Sequence, residues 1–125
     1  MSDVENSTEP YAVADFCLVP IGTQDASVAK YIAACVPVLE QCGLTYKMHG
    51  YGTNLEGPWT AVSNAIRDCH IAVHALGAPR IATDVRIGTR VDRDPRVGQM
   101  NEHKVKRVQE LLAEAGQSIN LTEKN

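Results

Sequence analysis

Aromatic side chains are scarce, 5% of 125 residues, with one Trp, one Phe and four Tyr. The core must therefore be largely aliphatic, and the single tryptophan, Trp59, stands out. Long apolar runs are missing too, and none approaches the roughly 20 residues of a membrane span. Met1 to Pro10 is polar and acidic with no apolar segment, which argues against a secretory signal. There is no surplus of basic charge. Twelve Lys and Arg stand against 15 Asp and Glu, a net charge of -3, which excludes a general nucleic-acid binder. None of Cys17, Cys35, Cys42 and Cys69 forms a Cys-x-x-Cys pair, so zinc and dithiol redox chemistry have no support. They read as small buried hydrophobes in a reducing cytoplasm. No Gly-x-Ser-x-Gly elbow, Walker loop or Gly-x-Gly-x-x-Gly is present.

What remains is an ordinary globular composition, 44% hydrophobic and 22% charged, of a length that suits one domain. Residues 1–10 and 117–125 read as flexible tails around a domain at 11–116. Ala12 to Ile21 is an apolar run suited to a central strand buried on both faces, with Asp15 its one charge. Val28, Ile32, Cys35, Leu39 and Cys42 step by four and three, the stripe of a helix that starts near Ser27 and stops at Gly43. Pro37 interrupts that helix without breaking the phase of the stripe and should kink it. Leu44 to His49 and Thr53 to Glu56 read as strands around a reversal at Gly50-Tyr51-Gly52. Pro58 fits the first turn of a second helix, whose stripe is Trp59, Val62, Ile66, Cys69, Val73 and Leu76. Arg80 to Val91 alternates as a last strand. A charged loop at Asp92 to Gly98 leads to a final helix from about Asn101 to Ala115, with Val105, Val108, Leu112 and Ala115 inward.

The order β-α-β-β-α-β-α predicts an α+β fold, a ferredoxin-like βαββαβ sandwich with an extra C-terminal helix. Strands one and three are then central, with the helices on one face of the sheet. The second face, apolar at Val19 and Ile21, has no helix to cover it and reads as a self-association surface.

Several residues invite chemistry. His70 and His74 have the i, i+4 spacing of a shared metal ion, but the glutamate of the zinc-protease motif is absent, and both flank the apolar stripe. Cys17 with His49 could form a nucleophilic pair, yet nothing orients it. Arg86 and Arg90 share one side of the last strand, either as part of a mixed solvated face or as an anion site. Three Gly-Thr pairs end strands: Gly22-Thr23, Gly52-Thr53 and Gly88-Thr89. Each is either turn chemistry or a place where backbone and hydroxyl meet a ligand. Glu56 lies ahead of the helix at Pro58, where the helix dipole would stabilise a carboxylate.

The segments VPIGT near residue 20, GYGTNLEGPW at 50–59, RIATDVRIGTR at 80–90 and HKVKRVQELL at 103–112 occur in this order. Together they resemble the small thiamine-binding protein family, the YkoF-like group, and its fungal-type members in particular. The resemblance covers roughly residues 12–115. It implies a ferredoxin-like fold, homodimers and homotetramers assembled through the sheets, and binding of thiamine or its hydroxymethylpyrimidine part without an established reaction. Thr23, Thr53 and Glu56 match its pattern as ligand contacts.

The chemistry of thiamine, a permanent cation carrying an aminopyrimidine, is compatible with these residues. Glu56 or Asp84 would accept from the exocyclic amine or offset the charge. Trp59 would lie over the ring or the cation unless it simply begins the core stripe. The expected site is thus Thr23, Thr53, Glu56, Trp59, Asp84, Arg86 and Thr89, in a non-catalytic cytoplasmic binder with no metal or further cofactor and no nucleic-acid or membrane partner. Two alternatives stand beside it. One is an enzyme or regulator of a small phosphorylated metabolite acting through Arg86 and Arg90. The other is an assembly module without a small ligand.

Overall fold

The computed structural model describes residues 9–116. Within them the chain forms β1 (Tyr11–Ile21), α1 (Ala29–Cys42), β2 (Thr45–His49), β3 (Gly52–Pro58), α2 (Trp59–Ala75), β4 (Arg80–Gly88) and α3 (Met100–Glu114). The strands make one antiparallel sheet in the order β2-β3-β1-β4. This is the expected α+β ferredoxin-like βαββαβ arrangement with a C-terminal helix, and β1 and β3 are central. The expected tails at 1–8 and 117–125 lie outside the described residues. Glu9 and Pro10, expected in the tail, are tied to the start of α2. The Glu9 carboxylate accepts from the Thr60 N–H, and the Pro10 carbonyl accepts from the Trp59 N–H at 3.0 Å.

β1 buries every second residue. Ala12, Ala14, Phe16, Leu18 and Pro20 face the core, whereas Tyr11 to Ile21 at odd positions are half-buried or exposed. The strand is therefore buried on one face only, not two. Its apolar odd positions are not covered by helix; they line an open sheet face. Phe16, Leu18, Leu55, Tyr31, Cys35, Leu39, Val62, Cys69 and Val73 form the core between the sheet and α1/α2.

α1 runs through Pro37 and ends at Gly43, whose φ of 76° is the left-handed cap that glycine adopts at low cost. Its buried stripe is Tyr31, Cys35 and Leu39. Val28 precedes the helix and is exposed, and Ile32 lies on the flank, so the N-terminal end of the expected stripe is one residue out of phase. In α2 the stripe is Val62, Ala65, Cys69 and Val73. Ala65 escapes a reading that weights large side chains. Trp59 and Leu76, at the helix ends, overhang the core and are 40% and 49% exposed. Pro58 still has extended backbone, with ψ of 142°, and closes β3, so α2 begins one residue later than expected. Of the four free thiols, Cys35 and Cys69 are buried and Cys17 and Cys42 are half-buried. A hydrogen bond with Cys35, together with burial, pushes the Cys69 thiol up, away from the reactive thiolate.

β4 alternates as expected, but it stops at Gly88 rather than Val91. Val13 opposite Gly88 is the last pair with β1, and Thr89 to Val91 leave the sheet. α3 departs most from expectation. Val105 and Leu112 are only half-buried, Val108 is 46% exposed, and Met100 is the one buried residue of the helix. The first turn of α3 lies over the open face of the sheet, at the β3 end.

Candidate functional site

Glu56 explains where α3 sits. Pairing of Glu56 with Val13 puts its side chain on the open face of β3. One carboxylate oxygen, Oε1, accepts from the Tyr11 hydroxyl at 2.9 Å and the Met100 N–H at 2.8 Å. The other, Oε2, accepts from the Asn101 N–H at 3.0 Å. The Tyr11 hydroxyl in turn accepts from the Gly98 N–H at 2.7 Å. A carboxylate thus satisfies orphan amides of the first helical turn, where the dipole also favours negative charge. The helix whose N-terminus meets Glu56 is α3, not α2 as the linear order implied. Burial, offset in part by the Gly98 hydrogen bond, and the neighbouring Glu56 leave the Tyr11 phenol pushed up to about 12.

Beside this knot a cleft of about 660 Å³ opens between β1, the end of β4, the 89–99 segment and the first turns of α3. Its walls are apolar at Val13, Pro95 and Met100 and polar at Tyr11, Asp15, Arg86, Thr89, Asn101 and Lys104, while Ala14 and Ile87, whose side chains face the core, border it from the strands. Asp15 holds His49 of β2 through an Oδ1 to Nε2 contact of 2.6 Å. Arg90 donates to both oxygens of Asp92, at 2.6 and 2.5 Å. That bond holds the Asp92 carboxyl at about 2, well below the usual carboxylate range.

Of the residues expected at a site, the cleft brings together Arg86 and Thr89, with Glu56 behind its α3 wall. Asp84 shares the open face, opposite Cys17, but stands outside the cleft lining. Thr53 pairs with Phe16 and so faces the core, on the other side of the sheet from Glu56, and it is 5% exposed. Thr23 follows β1 and donates to the Asp25 carbonyl, and Trp59 starts α2. Neither of these two lines the cleft. His70 and His74 each have a partner in the fold: the Thr83 hydroxyl at 2.7 Å and the Ala78 carbonyl at 2.8 Å. Burial, then His74, lowers the His70 pKa. His49, considered as a partner for Cys17, is engaged by Asp15.

Sequence reasoning missed Tyr11, Asp15, Asn101 and Lys104. Asp15 carried a signal, as the one charge in an apolar strand, and period two puts Tyr11 on the same side. Nothing local indicated that the start of α3 would return to β3.

The fold is thus an α+β sandwich with one open sheet face and a cleft of ligand size at its edge. The chain belongs to the thiamine-binding protein family, whose profile, described as thiamine-binding protein, matches residues 14–109. Among relatives, the UPF0045 protein sll0230 of Synechocystis is 50% identical over 100 residues, covering 80% of this chain and 78% of that protein. The UPF0045 protein ECM15 of the fungus Eremothecium gossypii is 36% identical over 104 residues, covering 83% and 95%. Among solved structures, the hypothetical protein MJ1052 of Methanocaldococcus jannascii superposes with a TM-score of 0.69 at 27% identity, covering 81% of this chain and 98% of that one. TM0486 of Thermotoga maritima, a proposed thiamine biosynthesis/salvage protein, superposes with a TM-score of 0.63 at 16% identity, covering 79% and 99%. That likeness shows the fold alone.

Proposed function

We propose that the chain is a non-catalytic cytoplasmic binder of thiamine or its hydroxymethylpyrimidine part, and that it works as a homodimer or homotetramer joined through the open sheet face. The observation that carries the reading is the cleft itself. Apart from Tyr11 and Val13 its lining lies within the family-matched segment, and its volume falls in the range of roughly 300–1,000 Å³ usual for small-ligand pockets. Its apolar walls suit flat rings. The Asp15 carboxylate has a second oxygen to accept from an exocyclic amine, and Asn101 and Thr89 offer neutral donors and acceptors. Glu56 is a positioning residue here, because it sets Tyr11, Met100 and Asn101 in the cleft wall. The apolar part of the open face, at Val19 and Ile21, and the exposed α3 residues Val108 and Leu111 supply the surface for self-association.

Thermal unfolding with added ligand tests the reading. At 100 times its dissociation constant a ligand adds about 2.7 kcal/mol. For a domain this size that raises Tm by on the order of 10 °C. Absence of a shift with both thiamine and hydroxymethylpyrimidine at millimolar concentration removes them as ligands.

A further inference from the structure

The charges around the cleft do not cancel. Two carboxylates line it: Asp15 is bonded to His49 through Oδ1 alone, and both oxygens of Asp92 take the two-pronged bond from Arg90. Glu56 cannot serve as a third, since it is 2% exposed and its oxygens already accept three hydrogen bonds. Arg86 of β4 and Lys104 of α3 line the same cleft and have no ion pair or hydrogen bond among the described residues. Arg86 stands opposite Asp15 across the strand pair, yet the two form no ion pair, and Asp15 Oδ1 is bonded to His49. A chain of net charge -3 thus lines this cleft with three cations, Arg86, Arg90 and Lys104, against two carboxylates, Asp15 and Asp92, and the cations without a bond, Arg86 and Lys104, come from two different elements.

Such a rim favours a ligand that carries its own anion over one whose only charge is positive. We infer that the cleft takes a phosphorylated form of its ligand, a phosphomonoester whose phosphate lies between Arg86 and Lys104 while the ring lies on the apolar wall. Arg86 supplies a planar fork matched to two phosphate oxygens, and Lys104 a point charge. Arg90, held by Asp92, shapes the rim and gives no contact to the phosphate. The inference rests on the reading of the cleft as the thiamine-type site and specifies which form of that ligand it holds.

Calorimetric titration compares thiamine with thiamine monophosphate, and hydroxymethylpyrimidine with its phosphate, in wild type, Arg86→Ala and Lys104→Ala. Both substituted side chains are exposed and unbonded, so the variants should keep the wild-type Tm. The expected result is at least tenfold tighter binding of the phosphorylated forms, weakening as salt rises. Each variant should lose roughly ten- to a hundredfold in affinity for the phosphorylated form, the range for charged hydrogen bonds, and nothing for the unphosphorylated one. Equal affinity for both forms, or equal weakening of both by Arg86→Ala, overturns the phosphate assignment and leaves the thiamine reading intact. If no thiamine or pyrimidine form binds while phenyl phosphate binds in an Arg86-dependent way, the thiamine reading fails and the anion site stands. Binding of none of these probes removes both.

Discussion

Glu56 shows how one side chain changes role between sequence and fold. In the linear chain it is a carboxylate ahead of a helix, free to meet a cationic ligand. In the folded chain it is buried beneath three donors from Tyr11, Met100 and Asn101. Replacing it with Gln keeps the volume but removes the charge and points an amide N–H₂ at donors. Hydrogen bonds to charged groups contribute about 1.5–3 kcal/mol, so Glu56→Gln should cost about that much stability. This corresponds to a Tm fall of on the order of 10 °C, measurable by calorimetry. An unchanged Tm would mean that the carboxylate does not hold α3. Trp59 makes the complementary point. Its rarity drew attention, yet its exposure at the first residue of α2 follows simply from a helix end that overhangs the core.

At the scale of elements, the periodicities carried most of the structure. The alternation of β4 and the middle of the three-four step in α2, at Val62, Cys69 and Val73, reproduce the observed burial, and Gly43 and Gly77 end their helices as expected, whereas β1, expected to be buried on both faces, is buried on one. The errors have local causes. A helix stripe read from large apolar residues passes over Tyr31 and Ala65, and a strand read from alternation runs on past Gly88, where pairing with β1 ends. The reversal between β2 and β3 gives a sharp test of close packing. A Cβ at Gly52 would lie 2.4 Å from the Phe16 carbonyl oxygen, which is backbone and cannot give way, whereas at Gly50 it would meet nothing within 4 Å. Gly52→Ala should therefore destabilise by about 1–3 kcal/mol in chemical denaturation, the usual cost of overpacking, and Gly50→Ala should be near neutral. Equal effects would show that the hairpin tolerates a shift of β1 against β3.

At the scale of the whole molecule, the uneven treatment of the two sheet faces is the main feature. α1 and α2 seal one face. The other keeps Val19 39% exposed, and α3, anchored by its first turn, leaves Val108 and Leu111 nearly half exposed. The exposed apolar residues of this mixed face suit a second copy, and a standard interface buries about 800 Å² per partner. Light scattering at micromolar concentration should give a dimer or tetramer, and Val19→Lys should shift it toward monomer without unfolding it. A monomeric wild type would rule out self-association through this face.

The sequence by itself determined the order of elements and the family, because these depend on spacing along the chain. Period two and period 3.6 are local properties, and four motif segments in fixed order survive without knowledge of contacts. Only the tertiary structure decided which candidates share a site. Thr53 and Glu56 are three residues apart on one strand, and the pleat sends them to opposite faces. Tyr11, Arg86 and Lys104 are far apart in sequence, and they line one cleft because β4 pairs with β1 and the amides of α3 close on the Glu56 carboxylate.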